Sequence, residues 1–206
     1  MANSTAKNLV RPLSVLLFCT LPLAWSQQVP DINLDETLPI ALDADSSEFD
    51  RKNDRLLFHG LRITQGVLGI EADDAEATRL DFEESLWVFT GNVIIDSGDT
   101  RAYADKAEML FQDHQLKSAI MRGSPARFEQ ERLEADKLTQ GHSLVMEYDL
   151  ETGVIRMSED AWISDGANEV SGARITYDLV KEYITADADD SGQVRMKIKP
   201  PDKDEP

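Results

Sequence analysis

The sequence contains one cysteine among its 206 residues, Cys19, which lies near the start of the chain. A chain with one cysteine forms no internal disulfide, and the segment after Cys19 offers no thiol for catalysis. Histidine is nearly as scarce, since His59, His114 and His142 are far apart and each lies near a turn. Zinc and similar metals need converging ligands, so we predict no metal site, and we expect core packing to hold the fold.

Motifs for catalysis are missing as well. The sequence has neither a GxSxG nucleophile turn nor a glycine-rich phosphate loop. Adjacent acids such as Asp73 and Asp74 would point to opposite faces of a strand and could not act as one carboxylate pair. We therefore predict that the protein has no catalytic residues and no cofactor, and that it is not an enzyme.

The start of the chain has a composition of its own. Two basic residues precede an apolar run at 13–23, and Ala24 and Ser26 follow at the positions that a signal peptidase reads. The run is shorter than the roughly 18 to 20 residues that span a bilayer. We predict that residues 1–26 are a cleaved signal peptide and that the protein is exported to the periplasm.

Acidic residues exceed basic ones, with a net charge of −18 for the whole chain. The predicted signal peptide holds two of the 21 basic residues and none of the 39 acidic ones, which leaves −20 for the remainder. Such a surface repels nucleic acids and anionic membranes, so we predict no nucleic-acid partner.

The pattern after the signal peptide is that of β-strands. Apolar residues alternate in steps of two rather than in a helical period, as in Trp87, Phe89, Gly91, Val93 and Ile95. Short turn sequences separate the strands at the spacing of an antiparallel meander.

A repeat of about 30 residues underlies the strands. Its copies are ADSSEFD from Ala44, ADDAEAT from Ala72, ADKAEMLF from Ala104, GHSLVMEYDL from Gly141 and GARITYDL from Gly172. Glycines at Gly60, Gly91 and Gly123 lie inside strands, where they predict bulges or bends. We predict an all-β fold, an elongated, open-ended antiparallel β-jellyroll of two sheets built from repeated hairpins.

An apolar interior column is the candidate binding site. It is predicted to contain Ile40, Leu42, Phe49, Met109, Phe111, Phe128, Met146, Tyr148, Leu150, Tyr177 and Leu179, of which the first nine are the predicted lipid contacts. Two interpretations remain open from the residues alone: an ordinary core, or a groove for a hydrocarbon ligand. Asn168 is expected at an exposed turn.

The ends of the chain carry less pattern. We predict a flexible lead-in at 27–37, one β-jellyroll domain at 38–199 and a disordered tail at 200–206. The natural edge strands contain Ile40 and Leu42 at one end and Val194, Met196 and Ile198 at the other. Basic residues alternate along the last strand, either to pair with an acidic partner or to protect the edge.

Several motifs resemble those of one known family. PIALDAD, FTGNVII, ADKAEM, GSPARFEQ, GHSLVMEYDL and GARITYDL occur in this order between Leu38 and Lys199. The order is similar to that of the OstA-like domain of lipopolysaccharide-transport proteins.

That resemblance implies a periplasmic β-jellyroll that binds lipopolysaccharide in an apolar groove. It also implies head-to-tail self-association and stacking onto an LptC-like protein at the inner membrane and an LptD-like protein at the outer membrane. Matching lipid-contact positions are Ile40, Leu42, Phe128, Tyr148 and Leu150. The segment at 132–140 and the strong negative charge depart from the family pattern.

Two alternatives stay open. An LptC-like component would share the fold but keep an N-terminal membrane helix, against which the short apolar run argues. A structural β-repeat scaffold of the cell envelope would have the same strands around a dry core.

Overall fold

The structure is a computed structural model that describes residues 38–53, 55–79, 82–132, 137–181, 183–188 and 192–200. The predicted signal peptide and lead-in, and all but the first residue of the predicted tail, lie outside the described residues.

The described residues form twelve strands. They are β1 (Ala41–Asp43), β2 (Ser46–Asp50), β3 (Arg55–Gln65), β4 (Leu68–Ala77), β5 (Glu84–Ser97), β6 (Thr100–Gln112), β7 (Gln115–Arg132), β8 (Lys137–Asp149), β9 (Val154–Ser164), β10 (Asn168–Asp178), β11 (Tyr183–Asp187) and β12 (Arg195–Ile198). The predicted all-β fold of repeated hairpins is confirmed.

All twelve strands belong to one antiparallel sheet, so the prediction of two separate sheets is wrong. Strands β3 to β10 follow one another in chain order, as in a meander. The short strands β1 and β2 both pair with β3, and β11 and β12 both pair with β10. Each end of the sheet therefore carries two short edge strands that lie end to end along one long strand.

A line of irregular pairing, here called the crease, crosses the long strands near their middles. The register shifts in every pair from β4–β5 to β9–β10. Gly91 and Gly123 lie within such shifts, which confirms the bulges predicted there. Gly60 interrupts the β3–β4 pairing, but the register is the same on both sides of it, so it does not mark a bulge. Gly91 has φ +78°, and a Cβ there would lie 3.0 Å from the Cβ of Asp73. Glycine is required at this position because the backbone is left-handed and space is lacking.

The crease divides the sheet into two halves, which we call wall 1 and wall 2. Wall 1 contains β2, β11 and the half-strands at 55–59, 74–77, 84–90, 106–112, 115–122, 145–149, 154–158 and 174–178. Wall 2 contains β1, β12 and the half-strands at 61–65, 68–72, 93–97, 100–104, 126–132, 137–142, 161–164 and 168–172.

The bulges keep the apolar residues of both walls on the inner face. In β4 the buried positions are Leu68, Ile70 and Ala72 before the crease but Ala75 and Ala77 after it. One extra residue resets the alternation, because side chains in a strand change face at every step. Buried side chains from the two walls join in one apolar cluster, so the walls face each other.

Candidate ligand-binding groove

Aromatic side chains fill the interior of wall 1 along its first strands. Phe58 of β3 and Phe89 of β5 lie on either side of Trp87, with ring centroids 5.8 and 6.0 Å from it. Phe82, from the connection between β4 and β5, stacks on Trp87 at 5.1 Å and meets Phe111 edge-on at 5.1 Å. All five rings are buried. This aromatic cluster is a packed core with stabilising ring geometry.

An apolar cavity begins where the aromatic cluster ends. Phe111 pairs with Leu116 of β7, and Leu116 already lines the cavity. The cavity encloses about 110 Å³ between the two walls. Its apolar lining is Leu116, Ala119, Met121, Met146, Tyr148 and Ile155 from wall 1, Leu150 and Leu179 just beyond the strand ends of wall 1, and Leu68, Ile95, Ala102 and Phe128 from wall 2. The lining begins beside the crease, at Met121, Met146 and Phe128. It extends to Leu68, Leu116 and Ile155 at the far ends of their half-strands, so the cavity reaches the mouth between the walls.

The position of the Phe128 ring beside the cavity depends on its neighbour Gly141. The two residues face each other across β7 and β8, and both are buried on the inner face. A Cβ at Gly141 would overlap the edge of the Phe128 ring. Because Gly141 has no side chain, the Phe128 ring occupies the space over its Cα.

A polar rim closes one side of the cavity. The turn between β5 and β6 brings Ser97, Asp99 and Thr100 to the lining, where Gln130 of β7 joins them. Thr100 Oγ1 donates a hydrogen bond to Asp99 Oδ1 at 3.0 Å, and Gln130 Nε2 donates to Asp99 Oδ2 at 3.4 Å. The cavity is thus apolar inside and hydrogen-bonding at its edge.

Tyr148 lies at the same mouth, on wall 1. Burial of its ring, with smaller contributions from the carboxylates of Asp149 and Asp99, raises the pKa of Tyr148 to about 12. The phenol is therefore neutral at physiological pH and compatible with an apolar ligand.

The structure separates the predicted site residues into three groups. Phe128, Met146, Tyr148 and Leu150 line the cavity. Met109 and Phe111 are buried in the core beside it, and Ile40 and Leu42 pack half-buried against the first strands.

The prediction of an interior position for Phe49 is wrong. Its side chain is 53% exposed. It lies in β2 opposite Leu56 of β3, but β2 is the last strand of wall 1 at this end, so no further strand covers the ring. The Arg51 guanidinium lies 5.8 Å from the ring centroid.

Several lining residues escaped the sequence analysis. Leu116, Ala119 and Met121 lie on the first half of β7, before Phe128, which was the one residue of this strand placed in the interior column. Ile155 lies on β9, which contributed no residue to that column. The signal that could have found them is the same two-residue alternation, followed through the second strand of each hairpin.

A second, more polar cavity of about 200 Å³ lies toward the C-terminal end of the sheet. Ile163 and Asn168 of wall 2 and Tyr177 and Ile184 of wall 1 are among its lining residues. Asn168 is half-buried, and its Nδ2 donates to Asp165 Oδ2 at 3.1 Å, so the expected exposed turn position is wrong. The space between the walls therefore continues toward β11 and β12.

The edge strands differ slightly from their predicted bounds. Ile40 lies one residue before β1, and Val194 one residue before β12. Met196 is 65% and Ile198 75% exposed, so β12 presents apolar side chains at the end of the sheet. Lys197 Nζ lies 2.8 Å from Glu169 Oε2 on β10, which gives this lysine an acidic partner within its own chain.

The described part of the chain lacks two kinds of feature. No helix there is long and apolar enough to cross a membrane. No three His, Cys, Asp or Glu side chains among these residues are grouped so as to hold a metal ion.

Comparison with known proteins bears on the groove and its sheet. The family model described as "LptA/(LptD N-terminal domain) LPS transport protein" matches residues 70–183, more than half of the chain. The chain belongs to this family. It is a family of lipopolysaccharide transport proteins, not of enzymes, and the predicted resemblance to the OstA-like domain is confirmed.

Individual relatives agree with the family match. The lipopolysaccharide export system protein LptA of Escherichia coli K12 is 29% identical over 132 residues, 63% of this chain and 69% of that protein. LptA of Haemophilus influenzae is 26% identical over 124 residues, 59% of this chain and 72% of that protein.

A solved structure supports the fold. It is the crystal structure of LptH, described as the LptA homologous periplasmic component of the lipopolysaccharide transport device from Pseudomonas aeruginosa. It has a TM-score of 0.53 and 20% identity, and the match covers 81% of this chain and 99% of that one.

Proposed function

We propose that the groove between the walls binds the acyl chains of lipopolysaccharide and that the protein carries this lipid through the periplasm. The supporting observation is the apolar cavity between the two walls, beside the packed aromatic cluster. We assign lipid contact to Phe128, Met146, Tyr148 and Leu150 within it. Each buried methylene contributes about 0.8 kcal/mol, so even a short stretch of chain is held appreciably.

The charge of the protein fits this assignment. The phosphorylated head group would remain in water at the mouth, while the acidic exterior repels it and disfavours binding elsewhere on the surface. In this proposal residues 1–26 direct export and are removed, residues 27–37 lead into the sheet, and residues 38–199 act as one domain.

The ends of the sheet suit assembly into a longer path. Among the described residues no further strand pairs with the outer edges of β1, β2, β11 and β12, and β12 adds exposed apolar side chains such as Met196. Edges of this kind pair with further strands by β-augmentation. We propose head-to-tail self-association through the ends that contain Ile40, Leu42, Val194, Met196 and Ile198. The same ends would join an LptC-like protein at the inner membrane and an LptD-like protein at the outer membrane.

Photocrosslinking to purified lipopolysaccharide tests the groove directly. A photoreactive residue is placed at Tyr148, at Phe128 or at Glu147, one variant at a time. Glu147 is the matched control because it lies between Met146 and Tyr148 on β8 but points outward and is exposed. We expect adducts at Tyr148 and Phe128 and none at Glu147.

The opposite result is equally informative. Folded variants that give no adduct at any position, or equal adducts at all three, contradict the groove assignment. The absence of all adducts would favour a structural β-repeat with a dry core.

A further inference from the structure

Gln130 brings an amide side chain into the apolar cavity. It lies on β7 between Thr100 of β6 and Thr139 of β8, and its side chain lines the cavity beside Phe128 and Tyr148. An amide carries both donors and an acceptor, so its orientation decides what it offers to a ligand.

Asp99 fixes that orientation. An ionised carboxylate only accepts hydrogen bonds, so the group that faces Asp99 Oδ2 at 3.4 Å must be the amide NH₂ of Gln130. Asp99 is itself held in place, because its other carboxylate oxygen accepts from Thr100 Oγ1 and its carbonyl accepts from the Glu131 N–H at 3.0 Å. The Gln130 carbonyl oxygen therefore points away from the rim.

The carbonyl oxygen Oε1 of Gln130 is buried and lacks a hydrogen-bond donor among the described residues. A buried acceptor without a partner loses its hydration and gains nothing in return. In native proteins such groups are rare, and each needs an explanation, such as a water, an ion or a ligand that supplies the missing donor.

We propose that Gln130 Oε1 accepts a hydrogen bond from a hydroxyl or amide N–H near the head of a bound acyl chain. This inference rests on the proposed lipid-binding function and adds a chemical preference to it. The donor group of the ligand then lies just inside the polar rim, within reach of this oxygen, and the tail extends along Leu116, Ala119 and Met121. Asp99 at the rim repels a free carboxylate, so the preferred ligands are neutral esters and amides.

The test uses three uncharged probes of equal chain length. They are methyl dodecanoate, which has no donor, methyl 3-hydroxydodecanoate, which has a hydroxyl, and N-methyldodecanamide, which has an amide N–H. Displacement of Nile red from the purified chain gives their relative affinities. We expect at least one donor probe to bind about three- to tenfold more tightly than methyl dodecanoate. The two donor probes distinguish the hydroxyl from the amide as the source.

The variant Gln130→Met removes the acceptor but keeps the length of the side chain. We expect it to lose the preference for donor probes while it binds methyl dodecanoate at least as well as the original chain. Gln112→Met is the matched control, because Gln112 is exposed at the end of β6. This control should keep the full preference.

The outcomes separate the two proposals. Equal affinities of the original chain for all three probes would mean that water supplies the donor to Gln130 Oε1. This result overturns the proposed hydrogen bond from the ligand to Gln130, here called the anchor, but leaves the lipid-binding groove intact. A preference that survives Gln130→Met also overturns the anchor. Failure of every probe to bind the folded chain overturns the lipid-binding groove itself, and the anchor with it.

Discussion

The interior of the sheet differs between the earlier strands, β3 to β6, and the later strands, β7 to β10. Both sets follow the same alternation of inward and outward side chains. In strands β3 to β6, wall 1 carries stacked rings around Trp87, and these rings line neither of the two cavities described above. In strands β7 to β10, the equivalent face carries Ala119, Met121 and Met146, and space remains. In both sets of strands the two-residue period directs side chains inward. The volume and shape of those side chains decide whether the interior is a packed core or an open groove.

Replacement of Trp87, the central ring of the aromatic cluster, should destabilise the packed strands β3 to β6. Trp87 is fully buried and contacts three aromatic rings. We expect Trp87→Ala to lower the free energy of unfolding by about 3–5 kcal/mol, measured by urea denaturation. Lipid binding at low denaturant should change little, because the cavity lies beyond Phe111. If the free energy of lipid binding fell as much as the free energy of unfolding, strands β3 to β6 and β7 to β10 would act as one unit, which contradicts the comparison.

A charge introduced among strands β7 to β10 should have the opposite effect, a large loss of binding with little loss of stability. We expect Tyr148→Asp to weaken lipopolysaccharide binding roughly a hundredfold, because a carboxylate must be desolvated when an acyl chain covers it. The fold should tolerate the change, since Tyr148 is only half-buried. Glu147→Ala on the outer face of the same strand is the control, and a similar loss there would contradict the comparison.

The titration of Tyr148 should make the groove sensitive to alkali. Burial raises the pKa of Tyr148 from 10.0 to about 12, so the folded state holds the proton more tightly than the unfolded chain does. The resulting stability is complete below pH 10 and is lost as the pH rises to about 12.

The loss should amount to about 1–2 kcal/mol, less than the full shift would give because solvent still reaches the ring. Tyr148→Phe has no such proton, so its stability should fall less than that of the original chain over this range. Parallel denaturation curves for the two proteins at every pH would refute the assignment.

The smallest effect is expected at the glycine beneath Phe128. A methyl group from Gly141→Ala would push the ring toward the cavity and narrow it. We expect lipid binding to fall about threefold, since a flexible ring end can move at small cost. Gly98→Ala, at a turn where a Cβ would meet no atom within 4 Å, is the control for the loss of a glycine, although its positive φ adds backbone strain.

The sequence analysis predicted the strands well because alternation is a local property. The buried positions Trp87, Phe89 and Val93, and the bulge at Gly91, follow from the spacing of residues within one segment. Phe49 has the same spacing but is exposed, because coverage depends on whether another strand lies beside it. Alternation contains no information about such neighbours.

The groove itself was harder to predict. The sequence analysis placed Phe111 and Phe128 in one interior column, yet the first completes a packed cluster and the second lines a cavity. The difference depends on Phe82, which reaches the cluster from a connection, and on Gly141, which leaves room beneath a ring. Both are contacts between distant positions that periodicity does not reveal.

The crease means that every long strand supplies both walls of the groove. Addition of a hairpin would thus lengthen the groove by two strand spacings, about 10 Å, and leave its cross-section unchanged. Length and width of the lipid path are separate variables in this architecture. Duplication of a repeat can alter the distance that one molecule spans without redesign of the surface that recognises the cargo.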